Sequence, residues 1–384
     1  MKFAHIGDCH LGGWRQPQLR DLNFKSFQEA VRRIIKNKLE FVLISGDLFD
    51  SAYPSIETLK YSFNEFRKLK EQKIPVFLIA GSHDYSVSGK TFLDVLERAG
   101  FCKNVVNYTE REGKLLLEPT LHKNIAIYGF PGKKSGLEVD EVSRIKIQDS
   151  PGLFKILMLH TTIRDAVGET PIKAVDERLL PKVDYLALSH LHIRYNKEGR
   201  VYSGPTFPNN LSELEELKGG SFCIFENGRI RREEIIIKEV LLIEIKITNV
   251  FTAAEEILKI ISDKEVKDKI IIAKLTGTLD KGKISDIDFQ KIESYLSEKG
   301  AFVFLKGTSK LHMVEPEVKL DALDSENLEE QIIRRFEERN PSRFNSLIPD
   351  LMKILTVEKL EDETASSFEE RLLSESKKVL KYEI

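Results

Sequence analysis

Phe41-Val42-Leu43-Ile44-Ser45-Gly46-Asp47-Leu48-Phe49-Asp50 is the stretch that decides the fold. Four apolar residues, Val42 and Ile44 β-branched among them, predict a short strand buried on both faces. Gly46 breaks it. Asp47 follows at its carboxyl end, where open α/β sheets bind their ligands. A carboxylate placed there costs free energy unless a cation or hydrogen-bond donors compensate it. Asp47 is therefore expected to bridge two metal ions, with other strand ends supplying the remaining ligands.

Outward from this stretch the same unit repeats. A strand over 2–6 ends in Gly7-Asp8-Cys9-His10, and Phe24, Phe27, Val31, Ile34 and Ile35 then recur at helical spacing. A second helix follows Pro54-Ser55, with Ile56, Leu59, Phe63 and Phe66 as its stripe. A strand over 76–79 ends in Gly81-Ser82-His83-Asp84, and Phe92 to Leu96 lies on a third helix stopped near Gly100. Three strand–helix units in a row predict a parallel sheet with crossover helices, an α/β class. Beyond Gly100 strands dominate: 115–117, 125–128, 154–159, 185–188, 201–202, and a hairpin of 222–225 turned by Asn227-Gly228. Residues 1–238 are expected to form one large domain on two sheets. Residues 240–312 alternate strand, helix, strand, helix, strand and read as a small α/β domain. Gly307 is the last glycine; residues 313–384 read as a linker and amphipathic helices, with Leu328, Ile332 and Phe336, then Leu347, Ile348, Leu351, Ile354 and Leu355, then Phe368 and Leu372 as stripes. Asn340-Pro341 interrupts the first of these. The stripes have too few partners within the tail to form a core. They belong either to an exposed appendage or to a partner-docking surface.

A chain of 384 residues with 41% hydrophobic and 31% charged content is long enough for two or three globular domains. Cys9, Cys102 and Cys223 are odd in number and lack CxxC spacing, which argues against a disulfide framework and suits a reducing, cytoplasmic setting. No apolar run is long enough to span a membrane, and the first residues run straight into a strand rather than a signal peptide. With a net charge of −2, any nucleic-acid partner must be held by a local positive field.

The chemistry lies in Asp8-Cys9-His10, Gly46-Asp47, Ser82-His83-Asp84, His160 and His190-Leu191-His192, each after an apolar strand-like run. Carboxylate and imidazole together suit Mn²⁺, Fe²⁺ or Zn²⁺. Cys9 should point away from Asp8 and His10 by strand alternation. Taken singly, each motif has a plain structural reading: a DxH pair is usually loop, and a lone histidine usually a satisfied core residue. Five strand-end motifs in one order over half the chain do not arise that way.

The order DxH, GDxxD, GSHD, His, HxH resembles the calcineurin-like metallophosphoesterases. Asp8-Cys9-His10-Leu11-Gly12, Gly46-Asp47-Leu48-Phe49-Asp50, Ala80-Gly81-Ser82-His83-Asp84 and Thr91-Phe92-Leu93-Asp94-Val95-Leu96 look like the nuclease subunit of the double-strand-break repair complexes called MR, MRN or SbcCD. The resemblance implies a two-sheet β-sandwich flanked by helices, a small capping domain that positions DNA, and C-terminal helices. It implies that Asp8, His10 and His192 hold one metal, His160 and His190 the other, with Asp47 shared. His83 would serve the leaving oxygen, oriented by Asp84. It implies two Mn²⁺ (or Mg²⁺ or Fe²⁺), hydrolysis of DNA ends and single-stranded DNA, a homodimer, and an SMC-like coiled-coil ABC ATPase bound by the C-terminal helices. Tyr61 and Leu93 are candidates to face a two-fold partner, and Lys274, Lys281 and Lys283 to contact DNA phosphates. The alternatives are a phosphoesterase of the same fold with another substrate, and a non-catalytic scaffold.

Three residues depart from the family pattern. Ser82 stands where an asparagine carbonyl usually ligates metal, and its shorter hydroxyl should ligate weakly or through water. Ser189 stands where the histidine pair is usually preceded by glycine. Asp50 occupies a position that archaeal and eukaryotic members often fill with histidine; it is expected to assist a histidine or the substrate rather than to ligate.

Overall fold

A computed structural model describes residues 1–86, 91–280, 282–313, 333–334, 336–338, 341–342, 344–357 and 365–380. The chain forms two compact units, Met1–Val314 and Glu315–Ile384.

In the first unit, β1 (Lys2–Ile6), β2 (Phe41–Ile44), β3 (Val76–Leu78) and β4 (Lys103–Asn104) run parallel, joined by α1 (Pro17–Lys36), α2 (Ile56–Glu71) and α3 (Phe92–Arg98). The six-stranded sheet they share also holds the hairpin of β14 (Gly220–Glu226) and β15 (Arg229–Ile235), which pairs antiparallel with β1. Between β4 and β14 come β5 (Tyr108–Arg111), β6 (Lys114–Leu117), β7 (Thr120–His122), β8 (Ile125–Phe130), α4 (Glu138–Val142), β9 (Ile145–Ile147), β10 (Phe154–His160), α5 (Arg164–Val167), β11 (Tyr185–Ser189), β12 (Tyr195–Lys197), β13 (Arg200–Tyr202) and α6 (Leu211–Leu217). A second six-stranded sheet has the order β12-β13-β11-β10-β8-β7, with β8, β10, β11 and β13 parallel.

Alternation along β2 shows why its four residues are all apolar. Phe41 and Leu43 enter the layer between the sheets, against Ile156, Met158, Tyr185 and Ala187 of the second sheet. Val42 and Ile44 face the helices, in one cluster with Phe24, Phe27, Val31 and Phe66. Each such fully buried side chain contributes about 1.5–3 kcal/mol. His5 also points between the sheets, with Nδ1 3.0 Å from the Tyr185 hydroxyl and Nε2 2.9 Å from Ser45 Oγ. Its burial, with Arg232 nearby, lowers its pKa to about 3, so it is a neutral core histidine.

Because the strands within each set are parallel, the carboxyl ends of β1, β2 and β3 lie on one edge, as do those of β10 and β11. Those ends carry the five motifs. The first two continue to pair past their strands: the Asp8 amide donates to Gly46 O at 3.1 Å and the His10 amide to Asp47 O at 3.0 Å.

The region after residue 238 is a three-stranded parallel sheet, β16 (Val240–Lys246), β17 (Ile270–Leu279) and β18 (Val303–Met313), crossed by α7 (Val250–Ser262) and α8 (Phe289–Glu298). Ile257, Ile261, Ile271, Leu275, Ile292 and Leu296 form a core of its own. Its other face shares an apolar cluster with the first 238 residues: Trp14, Leu19, Phe207 and Leu214 meet Ile270, Ile272 and Leu305. Lys274, one of the candidate phosphate contacts, pairs with Glu215 at 2.8 Å and Glu244 at 3.4 Å. Lys283 is exposed, and Lys281 lies outside the described residues.

Leu93 does not face outward either. It is 2% exposed, in the core between helices and sheet, because α3 turns that face inward. Tyr61 remains on the surface, stacked on Phe24 with centroids 4.5 Å apart. In the second unit, Ile348–Leu355 and Ala365–Leu380 are helical. Leu351 and Ile354 are half-buried and Leu355 is exposed. Of the other tail residues singled out above, Leu328, Ile332 and Asn340 lie outside the described residues.

Candidate metal centre

Asp8, His10, Asp47, His160, His190 and His192 meet where the carboxyl edges of the two sheets come together. Ligand-capable atoms of Asp8, His10 and His192 lie within 4.8 Å of one another, and so do those of Asp8, Asp47 and His160. One oxygen, Asp47 Oδ2, stands 3.6 Å from His10 Nε2 and 3.1 Å from His160 Nε2. The other, Oδ1, accepts the His83 amide at 2.7 Å. His192 Nε2 is 3.0 Å from His10 Nε2, and His190 Nδ1 is 3.2 Å from His160 Nε2. The His190 amide donates to both oxygens of Asp8 at 2.9 and 3.1 Å, tying the two sheets together at the site.

The backbone is strained here. Asp8, His10, Asp47 and His192 have φ of 51, 42, 50 and 54°, and His190 has φ of 106°. Each such non-glycine residue costs on the order of 1–3 kcal/mol and persists only where its surroundings enforce it. Gly81 provides the closest approach: a Cβ there would overlap the Asp47 carboxylate and amide.

Three inward-facing rings are held by the opposite nitrogen. His10 Nδ1 is 3.1 Å from Asp50 Oδ1, and His192 Nδ1 is 2.9 Å from Glu213 Oε1. An ionised carboxylate only accepts, so both Nδ1 atoms carry hydrogen. His160 Nδ1 lies 2.9 Å from Ser189 Oγ, and that hydroxyl donates to Ser45 O, so it accepts from His160. Nε2 is thereby the atom each ring turns inward. This is the outer support that metal-binding histidines characteristically have. Two buried carboxylates and a set of imidazoles held this way fit divalent first-row cations.

The buried charges of the cluster shift one another. Burial alone would lower His160 and His192, but the carboxylates of Asp47 and Asp8, with Glu213 on His192, raise both to about 9. Burial would likewise raise Asp47, yet His160 and His10 hold it far below the usual carboxylate range. His190 is lowered by burial and by His160.

Asp84 departs from its expected role. It does not orient His83; its carboxylate accepts the amides of Leu48, Phe49 and Gly81 at 3.1, 2.9 and 3.0 Å. Being buried, it uses its lone pairs to join the second and third motif loops. His83 is instead tied by Asp50, with Nδ1 2.9 Å from the Asp50 carbonyl and 3.8 Å from its carboxylate. Asp50 thus assists two histidines. The close grouping of His10, Asp50 and His83 uses the outward nitrogens of both rings, which marks it as positioning rather than a further cation site. Cys9 is buried in the core on the helix side of the sheet.

Glu213 and the supporting role of Ser189 were not evident in the sequence. Asn210-Leu211-Ser212-Glu213 has the spacing of a helix N-cap followed three residues on by glutamate, but that signal announces only a helix start. Ser82 Oγ lies 3.4 Å from Asp47 Oδ2, beside the shared oxygen. Ser82→Asn is expected to tighten binding of one cation by about 10-fold, the scale on which supporting groups act. Calorimetric titration of the variant that overlays the parent would rule this out.

A calcineurin-like phosphoesterase model matches residues 1–194. A DNA double-strand break repair protein Mre11 of Methanosarcina acetivorans is 28% identical over 87% of this chain and 55% of its own length. The Mre11 of Methanocaldococcus jannaschii is 31% identical over 57% of this chain and 60% of its own length. An uncharacterized metallophosphoesterase YhaO of Bacillus subtilis is 26% identical over 61% of this chain and 59% of its own. The chain thus spans between about half and three-fifths of these relatives. With the matched region ending just past the last motif histidine, and its strand ends building one carboxylate–imidazole cluster, this chain belongs to the calcineurin-like phosphoesterases.

Proposed function

We propose that the chain is a two-metal phosphodiesterase that hydrolyses DNA, with Mn²⁺ as its favoured ion. The observation that carries this reading is Asp47 Oδ2, a single carboxylate oxygen facing His10 Nε2 on one side and His160 Nε2 on the other. Asp8, His10 and His192 would hold one cation and His160 and His190 the second, with Asp47 common to both and Ser82 beside the second. Bound cations would supply Lewis-acid polarisation of the phosphoryl oxygens and a lowered pKa for attacking water. The chain's own part is to present the site and handle the leaving group. His83 is the most exposed histidine of the cluster, and its Nδ1–H is tied to the Asp50 carbonyl. In the protonated ring, Nε2–H is left to hydrogen-bond the leaving oxygen and pass it that proton, leaving the neutral Nδ1–H form behind. The names of the archaeal relatives support DNA as substrate and repair of double-strand breaks as the setting.

On this reading, residues 1–238 are the nuclease domain, 240–312 a capping domain over the metals, and 313–384 a linker and helical tail. The tail binds an SMC-like ABC ATPase, and a homodimer forms through the exposed side of α2 and α3, where Ile56 and Val95 are on the surface. The activity covers duplex ends and single strands, and the setting is cytoplasmic. None of the described helices is long and apolar enough to cross a membrane.

The test is incubation of purified protein with Mn²⁺ and linear duplex or single-stranded DNA, with and without EDTA. Cleavage should occur, stop with EDTA, and fall by about 10²–10⁴-fold in His83→Gln, the usual contribution of a general acid. Cleavage undiminished by that substitution would refute the role of His83. Absence of cleavage in the parent would favour another phosphoester substrate or a scaffold.

A further inference from the structure

Helix α6 is short and lies between two parts of the first unit. Its residues Glu213 and Glu215, two apart and so on opposite sides, are engaged in opposite directions. Glu213 Oε1 holds His192 Nδ1 at 2.9 Å, while Glu215 Oε2 pairs with Lys274 of β17 at 2.8 Å. Leu214 between them is fully buried, in the cluster with Ile270, Ile272 and Leu305 of the small sheet. The helix sits directly on that sheet at Gly307 of β18, where a Cβ would come within 3.1 Å of Glu215 Oε1. A side chain there would press first on the Glu215 carboxylate, the group that pairs with Lys274.

The start of the helix is tied to the site in the same way. The Asn210 side chain accepts the Glu213 amide at 2.9 Å and the Asn209 amide donates to Glu213 Oε2 at 2.8 Å. Asn209 Nδ2 donates to Asp50 Oδ1 at 3.4 Å, the same oxygen that holds His10. One short segment therefore supports His192 through Glu213 and His10 through Asp50.

We propose that Glu213 is a positioning residue for His192, and that α6 makes this positioning depend on where the small β16–β18 sheet sits, through the Glu215–Lys274 pair and the Leu214 contact. A shift of that sheet against α6 would turn the His192 ring and weaken the cation held with Asp8 and His10, while leaving His160 and His190 alone. The consequence for cations rests on the two-metal reading; the ring geometry does not.

Two measurements on the full chain test it. The first is the ¹⁵N NMR signature of the His192 ring in the metal-free protein, where the Nδ1–H hydrogen bond to Glu213 is read directly. The second is Mn²⁺ titration by calorimetry. Glu213→Gln should shift the His192 ring signals and weaken one of two cations by about 10–100-fold. Lys274→Glu sets three carboxylates against each other and touches no site residue. It should shift the same ring signals and weaken the same cation by about 2- to 30-fold. Adding Glu215→Lys to Lys274→Glu should restore much of both. Unchanged ring signals and unchanged affinity in Lys274→Glu would overturn the coupling, and unchanged ring signals in Glu213→Gln would overturn the positioning role. A parent that binds cations but cleaves no DNA would count against the nuclease reading alone.

Discussion

Asp47→Asn is expected to bind no cation at either position, where the parent binds two and His10→Ala binds one. The prediction follows from how the carboxylate is pinned. Oδ1 accepts the His83 amide, so the asparagine carbonyl keeps that place and the NH₂ group falls where Oδ2 stood. That position faces His10 Nε2 and His160 Nε2 together. A donor there repels a cation from both sides at once and offers no lone pair to either. Loss should exceed the roughly 10–100-fold that follows removal of a merely supporting partner. Counting metal per chain after equilibrium dialysis checks it; equal counts in Asp47→Asn and His10→Ala would contradict the shared-oxygen reading.

Asp84→Ala should unfold well below the parent temperature, whereas His83→Gln should melt with the parent while losing activity. Asp84 accepts three buried amides from two loops. Each donor left unmet in the interior costs about 1–3 kcal/mol. Part of this is offset, because burial and the neighbouring Asp47 already raise Asp84 to about 6. The net expectation is a loss of about 3 kcal/mol or more, which a thermal melt resolves as several degrees. His83 is half exposed and contributes little to packing. If Asp84→Ala melts with the parent, the carboxylate is not the tie between the loops, and a direct catalytic role would have to be reconsidered.

Much of the architecture was legible along the chain because strong periodic signals coincide with real elements. The strands at Lys2–Ile6 and Phe41–Ile44 coincide with the stretches read as strands. The two- and three-residue strands β4, β7, β9 and β12 carry too few residues for a period to show. Lys274 stood out only as a candidate phosphate contact because its partners, Glu215 and Glu244, lie far from it in sequence. Leu93 read as a surface residue because a seven-residue helix does not reveal which way it will be rotated on a sheet.

For the site itself, sequence alone determined which residues could carry the chemistry: carboxylates and imidazoles set just after apolar strands, where parallel topology gathers strand ends on one edge. Only the tertiary structure decided what each does there. Asp84 and Asp50 are both acidic residues inside recognisable motifs, yet one joins loops through amides and the other steadies His10 and His83. Glu213 belongs to no motif, yet it holds His192. The reason is physical: a ligand's identity is local to the chain, but the partner on its other nitrogen comes from whichever segment folding brings within about 3 Å.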